Sequence, residues 1–339
     1  MSNSNSQHTI LVTGGCGYIG SHTVLALLDA GFQVVIFDKN LPNLAFGQYI
    51  KTLNNQCKFI EGNLLDLNLV QKTITQNNFD GVIHFAADPA FVSQSPQYIS
   101  GYYTNNVISS INLINTCREH NLNNFVFSST AAMYGNPKTL PIREDSELAP
   151  INVYGYTKSV IETMLLDYNR AYNFQSVRLR YFNACGADSD MRSGEEHDPE
   201  VHLIPNILQS VGTDKVFELF GNDYKTVDGT CMRDYIHVSD LASAHLKALE
   251  LMLNSNDNTC QVINLGTGAG FTNQQIFTTA EKTIGQSIPL KIVGRRAGDP
   301  DELVADNTKA KNILGWQPVN SSLENILQSA WKWQQNKKS

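Results

Sequence analysis

Three glycines lie between the first strand pattern of this chain and the helical pattern that follows it. The strand pattern is Thr9–Val12, the glycines are Gly14, Gly17 and Gly20, and the helical pattern is Ile19–Ala30. Glycines at this spacing permit a tight turn and close approach of the backbone to a pyrophosphate, which the N-terminus of the helix then stabilises. We predict that the loop binds a dinucleotide at the carboxyl end of a parallel strand.

Short β-branched runs alternate with helical patterns through the first half of the chain. This alternation predicts an α/β fold, a doubly wound parallel sheet of the Rossmann type, with a smaller C-terminal substrate-binding lobe. The predicted strands are Thr9–Val12, Gln33–Phe37, Lys58–Ile60, Gly81–Phe85, Phe125–Ser128 and Ser176–Arg180, and the helices include Ile19–Ala30 and Val107–Glu119. We place the dinucleotide-binding domain at residues 8–183 and the lobe mainly at 184–335, with segments such as Val262–Leu265 returning to the main sheet.

An acidic residue at the end of the second predicted strand indicates which dinucleotide binds. Asp38 stands where a carboxylate accepts hydrogen bonds from the adenosine ribose and repels a 2′-phosphate. The neighbouring Lys39 acts weakly against that choice. We predict NAD as the cofactor, and the alternative is that Asp38 is an ordinary strand-end residue.

Tyr154 and Lys158 stand four positions apart in an amphipathic helical pattern, so their side chains share one face. A nearby ammonium lowers the pKa of a tyrosine, which can then accept a proton near neutral pH. Thr130 follows the strand Phe125–Ser128, at the edge where such sheets bind ligands. We predict that Thr130, Tyr154 and Lys158 are catalytic. A structural Tyr–Lys pair is the alternative, because the spacing alone is common.

The glycine loop, the hydroxyl residue and the Tyr–Lys pair together resemble the extended branch of the short-chain dehydrogenase/reductase superfamily. Longer strings resemble the UDP-glucose 4-epimerase family, and they are Arg180–Asn183, Phe220–Tyr224, Asp228–Val238, Asn264–Gly268 and Arg295–Asp299. The resemblance runs from about Ile10 to Trp333. It implies reversible C4 epimerisation of UDP-glucose and UDP-galactose by transient hydride transfer to bound NAD. It also implies a homodimer through the helices near Tyr103–Glu119 and Val153–Tyr172.

The resemblance assigns individual residues to the cofactor and to the UDP-sugar. Cofactor positions are Gly14, Gly17, Tyr18, Ile19, Gly20, Asp38, Asn63, Leu64, Phe85, Ala86, Ala87, Asn105, Lys158 and Phe182. Substrate positions are Thr130, Tyr154, Asn183, Leu203, Phe220, Arg233, Arg296 and Asp299. The two arginines also suit a diphosphate, because a guanidinium group binds phosphate oxygens in pairs. The alternatives are a salt bridge of Arg233 with Asp234 or Asp240, and a solvated loop charge at Arg296.

Three segments depart from the pattern of the family. Gly62 is followed by Asn63, where many members have aspartate, and an amide can still meet the adenine edge. The loop after Ala86 contains Asp88 and no lysine, an exchange of charge that bears on cofactor affinity and substrate choice. The acidic insert Asp188–Pro199 has no role that the sequence assigns.

Other functions stay open at this point. Leu303 stands where some bacterial members have a tyrosine beside the sugar, so the alternative is a UDP-N-acetylhexosamine 4-epimerase or another nucleotide-sugar enzyme. A dehydratase needs an acid–base pair directly after Thr130, where this chain has Ala131-Ala132-Met133. A non-catalytic NAD-sensing regulator has no need of the Tyr–Lys pair.

Charge, cysteines and histidines narrow the class of protein further. The formal net charge of −7 argues against nucleic acid as the main partner, and no apolar run is long enough to span a membrane. Six scattered cysteines predict free thiols in a cytoplasmic protein. His84 is predicted to be a core histidine. His197 and His202 lie in an acidic loop at a spacing unsuited to a metal, so we predict no metal site.

Overall fold

The computed structural model describes residues 8–53, 55–88, 96–255, 257–296 and 299–337. The chain divides into two compact units. The first comprises Met1–Tyr134, Leu148–Arg180 and Ala242–Ile263, and the second comprises Gly135–Glu147, Tyr181–Leu241 and Asn264–Ser339.

The elements follow one another in this chain order: β1 (Thr9–Thr13), α1 (Tyr18–Asp29), β2 (Gln33–Asp38), α2 (Leu44–Lys51), β3 (Cys57–Glu61), α3 (Leu67–Thr75), β4 (Gly81–His84), α4 (Pro96–Tyr102), a π-helical stretch (Tyr103–Ile108), α5 (Ser109–Glu119), β5 (Asn124–Ser128), a 3-10 turn (Ala131–Tyr134), α6 (Val153–Tyr172), β6 (Gln175–Tyr181), β7 (Asn183–Cys185), α7 (Leu203–Gln209), β8 (Phe217–Phe220), β9 (Met232–Arg233), β10 (Tyr235–His237), α8 (Val238–Leu253), β11 (Cys260–Leu265), β12 (Phe271–Thr272), α9 (Asn273–Ile284), β13 (Leu290–Val293), β14 (Glu302–Leu303), α10 (Thr308–Leu314) and α11 (Leu323–Asn336).

A seven-stranded sheet in the order β11-β6-β5-β4-β1-β2-β3 organises the first unit. The pairings from β3 to β6 are all parallel. The strand order reverses between β1 and β4, and sheets of this kind bind ligands beyond the carboxyl ends of the strands at that point. The Rossmann-type prediction is confirmed, and the segment predicted to return to the main sheet is the edge strand β11.

The central strands β1, β4 and β5 are buried along most of their length because both of their faces are covered. Leu11, Val35 and Phe125 from three strands pack with Ile114 of α5 and Leu165 of α6 in one buried cluster. The helix predicted at Val107–Glu119 is present, but its first residues belong to the π-helical stretch. This packing fixes α5 and α6 on the sheet.

His84 lies inside this core, as predicted. Its Nδ1 is 2.6 Å from Thr13 Oγ1, and its Nε2 is 2.8 Å from Ser110 Oγ. Burial, with a smaller contribution from the charge of Lys158, lowers the pKa of His84 to about 3. The ring is therefore a neutral part of the core at physiological pH.

The second unit has its own apolar core around α7, α9 and α11. Ile204 and Ile207 of α7 pack with Phe277 of α9 and Leu327 of α11. Its small sheets pair β9 with β12 and β14, β10 with β7, and β13 with β8. Among the helices that the structure describes, none combines the length and the apolar character needed to cross a bilayer.

Candidate active site

The glycine loop closes the carboxyl end of β1. Gly14 has a φ of +74°, and a Cβ there would lie 2.5 Å from the backbone nitrogen of Ala86. A Cβ on Gly20 would collide with the carbonyl oxygen of Gly14. No side chain caps α1 at Gly17, and its first turn contains no acidic residue. The partial positive charge of this turn is therefore not neutralised locally, so the loop fits the pyrophosphate of a dinucleotide.

Asp38 is fixed beside that loop at the end of β2. Its Oδ2 accepts a hydrogen bond from Cys16 N at 2.9 Å, and its Oδ1 accepts one from Asn40 N at 3.0 Å. Burial raises the pKa of the Asp38 carboxyl, although these backbone N–H groups oppose the shift. The structure therefore fixes the carboxylate next to the glycine loop, and its binding of an adenosine ribose stays a prediction.

The departure at Asp88 has a definite set of contacts in the structure. Its Oδ1 is 3.3 Å from Lys39 Nζ, and its Oδ2 accepts a hydrogen bond from Asn105 Nδ2 at 2.5 Å. Lys39, whose charge would favour a cofactor with a 2′-phosphate, thus forms an ion pair with a carboxylate. Asn105, a predicted cofactor position, is held by the same group. The rest of that loop, residues 89–95, lies outside the described residues.

Other predicted cofactor positions follow strands of the same sheet. Asn63 and Leu64 follow β3, whereas Phe85, Ala86 and Ala87 follow β4. The backbone N–H groups of Phe85 and Ala86 both donate to the carbonyl of the last β1 residue, at 2.8 and 3.1 Å. Because parallel strands end at one edge, the structure brings these positions to the same side of the sheet as the glycine loop.

Tyr154 and Lys158 lie in the first two turns of α6, on one face. The helix begins where the side chain of Asn152 accepts a hydrogen bond from Gly155 N at 2.8 Å. Lys158 Nζ lies 5.7 Å from the centroid of the Tyr154 ring. The predicted pair is therefore formed by two neighbouring side chains.

Lys158 is buried, with 3% of its surface exposed. Its Nζ donates a hydrogen bond to the carbonyl oxygen of Ser128 at 2.9 Å and lies 4.8 Å from the centroid of the Phe127 ring. Burial lowers the pKa of Lys158 to about 7, although the charge of Glu162 acts in the opposite direction. A negative charge nearby, such as a phenolate, favours the protonated amine, so the two groups stabilise each other.

Thr130 lies two residues beyond the carbonyl that Lys158 holds. It is buried, and its Oγ1 accepts a hydrogen bond from Ala132 N at 3.1 Å. The contact fixes the side chain at the carboxyl edge of the sheet. The first unit thus combines a dinucleotide loop, a Tyr–Lys pair and a fixed hydroxyl.

Sequence reasoning missed a buried ion pair behind the Tyr–Lys pair. Glu162 and Arg180 have side chains that are each 5% exposed, and Arg180 Nη2 lies 2.6 Å from Glu162 Oε2. Glu162 also accepts a hydrogen bond from Ser129 Oγ at 2.5 Å, and Arg180 donates one to Tyr134 Oη at 2.9 Å. The available signal was the presence of two arginines, Arg178 and Arg180, in one strand of the parallel sheet. The network anchors α6 to β5 and β6.

We expect Glu162→Ala to lower the free energy of unfolding by about 3–5 kcal/mol, because it leaves the Arg180 guanidinium buried without its carboxylate. Denaturant unfolding measures the change. The control is Asp167→Ala on the same helix, where an exposed carboxylate lies 3.5 Å from Arg170. Little loss is expected there. Equal losses in the two variants would contradict a stabilising role for the Glu162 network.

Arg233 is a buried member of the second unit. Its Nη1 donates hydrogen bonds to the carbonyl oxygens of Met232 at 2.8 Å and Pro300 at 2.9 Å. Its Nη2 lies 3.7 Å from Asp299 Oδ1, too far for a strong hydrogen bond. The guanidinium is positioned by backbone carbonyls, and among the described residues its ion-pair partner is Asp299.

The alternative in which Arg233 pairs with Asp234 or Asp240 is wrong. The Asp234 carboxylate accepts hydrogen bonds from Thr267 N and Oγ1, at 2.8 and 2.7 Å, and from further backbone N–H groups. Asp240 accepts from the backbone nitrogens of Val319 and Asn320. Both carboxylates bind loops of the second unit. These contacts join residues far apart in the chain, so the neighbouring sequence does not predict them.

Arg296 lies on an aromatic ring at the surface of the second unit. Its Cζ is 4.0 Å from the centroid of the Phe220 ring, a cation–π contact between two predicted substrate positions. Asn183 begins β7, and Leu203 begins α7. Phe182, a predicted cofactor position, is buried in this unit. Ala297 and Gly298 lie outside the described residues. The roles assigned to these positions stay predictions.

Residues 10–266 match the model of the NAD dependent epimerase/dehydratase family. The chain belongs to this family. It is 44% identical to the UDP-glucose 4-epimerase of Lactobacillus helveticus over 96% of each chain. The structure of UDP-glucose 4-epimerase from Brucella ovis in complex with NAD is 41% identical, with a TM-score of 0.89 over 96% of this chain and 98% of that one. The enzyme from Bifidobacterium longum in complex with NAD+ and UDP is 35% identical, with a TM-score of 0.89 over 97% and 99%.

Proposed function

We propose that the protein interconverts UDP-glucose and UDP-galactose by reversing the configuration at C4, with NAD as its cofactor, as in galactose metabolism. The observation that carries the proposal is the buried Lys158 ammonium beside the Tyr154 ring, in a unit that also holds the glycine loop. The full-length likeness to UDP-glucose 4-epimerases supports the choice of substrate. A regulator without catalysis would have no use for a buried lysine next to a tyrosine.

In the first unit, some residues are proposed to bind the cofactor and others to transfer the proton. The glycine loop and Asp38 hold the pyrophosphate and the adenosine ribose. The chemistry that NAD supplies when bound is reversible acceptance of the C4 hydride, without net redox change. Tyr154, kept ionised by Lys158, accepts the proton of the C4 hydroxyl at its phenolic oxygen and later returns it. Thr130 hydrogen-bonds the same sugar oxygen and orients it.

The second unit supplies the groups proposed to hold UDP. Arg233 donates to two backbone carbonyls and makes a longer ion pair with Asp299, so its remaining N–H groups suit a phosphate oxygen. Arg296, stacked on Phe220, supplies a second guanidinium. Asn183, Leu203 and Asp299 complete the proposed contacts. Holding the substrate by the diphosphate leaves the sugar free to present either face to the reacting groups.

We expect Arg233→Ala to weaken UDP binding by about 1.5–3 kcal/mol, the scale of a hydrogen bond to a charged group. Titration calorimetry with UDP measures the effect. The matched control is Arg295→Ala, whose guanidinium is bound to Asp223 at 2.6 Å and is not assigned to UDP. An unchanged UDP affinity together with a lower melting temperature would show that Arg233 only fastens the segment at Pro300.

A second activity, slow turnover of UDP-N-acetylhexosamines, is favoured by the position of Leu303. It is half-buried on β14 and is the direct register partner of Arg233 on β9. A leucine side chain is shorter than a tyrosine side chain, so at this position it would leave more space beside the sugar. Close packing makes such differences of size matter.

We expect Leu303→Tyr to abolish turnover of UDP-N-acetylgalactosamine and to leave that of UDP-galactose within a few-fold. Steady-state assays with both substrates measure the ratio. Leu303→Met is the control, because it nearly conserves volume. Equal damage to both activities by tyrosine would place Leu303 in the packing of β14 instead of the sugar pocket.

The proposed function is tested by incubating the purified protein with UDP-galactose and following the anomeric signals by NMR. The expected result is UDP-glucose, with the same final ratio reached from either substrate and no requirement for a reductant. Tyr154→Phe, handled in parallel, controls for contaminating enzyme. Formation of a dehydrated or decarboxylated sugar, or of no product, would contradict the proposal.

We also propose that two copies associate through the π-helical stretch, α5 and α6, in the cytoplasm. Tyr103, Ile108, Tyr156 and Val160 are large apolar side chains exposed on these helices, each with more than a third of its surface accessible. A covering partner removes such apolar area from water. Light scattering after gel filtration tests for the mass of two chains.

The cytoplasmic location is supported by the cysteines. All six are free thiols, which suits a reducing compartment.

A further inference from the structure

Four metal-ligating side chains of the second unit converge in the insert after β7. They are Glu195, His197, Glu200 and His202, called here the His–Glu cluster. One ligand atom from each lies within 4.8 Å of those of the other three. The two imidazole rings are 5.2 Å apart in an edge-to-face arrangement. The cluster therefore presents two nitrogens and two carboxylates to one point.

Among the described residues, the ion pairs of Glu195 and Glu200 are all with His197 and His202, and none is with a lysine or an arginine. The side chains of the two glutamates are each 6% exposed. Two neighbouring carboxylates repel each other, and burial disfavours their charged forms. Glu200 Oε1 accepts hydrogen bonds from the backbone nitrogens of Val201 and His202, and a cation between the two carboxylates would stabilise the pair further.

The backbone that carries the cluster is held in place by the C-terminal helix. The carbonyl oxygen of Glu195 accepts hydrogen bonds from Trp333 Nε1 at 3.0 Å and from Lys337 Nζ at 2.7 Å. Earlier in the insert, Arg192 is paired with Asp188 at 2.9 Å. The ligands therefore sit on a segment that is braced before any ion arrives, which lowers the cost of ordering them.

We propose that the His–Glu cluster binds one divalent transition-metal ion of the Zn²⁺ class through all four side chains. Imidazole together with carboxylate suits Zn²⁺, whereas Mg²⁺ and Ca²⁺ prefer oxygen ligands alone. Four protein ligands describe a closed structural site. Ligand atoms of a tetrahedral site lie about 3.4 Å apart at ordinary Zn²⁺ bond lengths, so small side-chain rotations close the cluster on the ion.

The proposal differs from the sequence prediction of no metal site, and the titration described below decides between them. The five-position separation of His197 and His202 matches no regular helical face, and this made the spacing look unsuitable. The chain folds back between them, so their rings meet regardless of helical period. The ion would fix the residues directly before Leu203, where α7 begins. It is a structural site, independent of the proposed catalysis.

Protons compete with the ion for the same ligands. Burial lowers the pKa of His202, but the hydrogen bond and charge of Glu195 outweigh it, so the pKa is raised overall. Metal binding must displace that proton.

Co²⁺ titration of the full-length protein tests the proposal, after removal of any affinity tag and treatment with EDTA. The expected result is one equivalent of Co²⁺ with the visible absorption of tetrahedral coordination, displaced by one equivalent of Zn²⁺. Zn²⁺ should raise the melting temperature, and EDTA should reverse the rise. In His197→Asn and in Glu200→Gln the affinity should fall at least tenfold. Glu196→Gln, an exposed neighbour outside the cluster, should match the wild type.

The Co²⁺ titration distinguishes a specific metal site from adventitious binding. An octahedral Co²⁺ spectrum, a stoichiometry far below one, or equal affinities in wild type, His197→Asn and Glu200→Gln would overturn the proposal. Circular dichroism of each variant establishes that it is folded before titration. Because Glu200→Gln keeps the shape of the side chain, it preserves the test if His197→Asn fails to fold.

Discussion

Tyr154→Phe lowers turnover of UDP-galactose by about 1,000-fold, within the range that a positioned proton acceptor contributes. The change removes the phenolic oxygen and keeps the ring beside Lys158. Binding of NAD and of UDP should persist, because neither the glycine loop nor the arginines are altered. The measurements are kcat, the NAD content of the purified variant and its affinity for UDP.

Tyr172→Phe is the matched control, since Tyr172 lies at the C-terminal end of the same helix with about half of its surface exposed. It should retain the turnover of the wild type. Near-normal kcat in Tyr154→Phe would remove this residue from the proton transfer. A loss of bound NAD in that variant would show that the tyrosine supports the cofactor site instead.

Lys158→Met impairs both turnover and retention of NAD. Methionine is unbranched and apolar, so it can occupy the buried position while removing the ammonium and its hydrogen bond to the Ser128 carbonyl. Without the ammonium the phenolate of Tyr154 is less stable, which raises the pKa of the tyrosine. The part of the pH–kcat profile in which kcat rises with pH should therefore move to higher pH. We expect kcat near neutral pH to fall at least 100-fold.

The pH profile distinguishes a chemical role for Lys158 from a packing role. An unshifted profile with a lower melting temperature would mean that Lys158 serves only the fold. Lys158→Arg is a second variant that keeps the charge but changes the geometry of the donor. Partial recovery of the pH profile in Lys158→Arg, relative to Lys158→Met, would support the electrostatic account.

Features that depend on local sequence were predictable. The glycines of the loop follow a strand and precede a helix, so Gly14 and Gly20 could be assigned from the backbone conformations that the turn demands. Asp38 was recognisable because it ends a strand. The pairing of Tyr154 with Lys158 follows from helical periodicity alone. In each case the residues that matter are neighbours in the chain.

Features that depend on distant residues were not predictable. Glu162 and Arg180 are in contact only because α6 packs on β6, and neither segment has a sequence pattern that predicts contact with the other. A salt bridge of Arg233 with an acid close in sequence was the alternative to a UDP contact, but the Asp234 carboxylate binds the backbone near Thr267 instead. The rings of the His–Glu cluster meet because the chain folds back between them, which has no sequence signature, and the titration decides whether they bind a metal.

The most direct test of the account is the fate of the hydrogen at C4. UDP-galactose carrying deuterium at C4 is converted in ordinary water without added cofactor, and the UDP-glucose is analysed by NMR and mass spectrometry. Removal and return of the same hydride predicts that the deuterium stays at C4 of the product. UDP-glucose with protium at C4 would show exchange with solvent and would contradict the central claim.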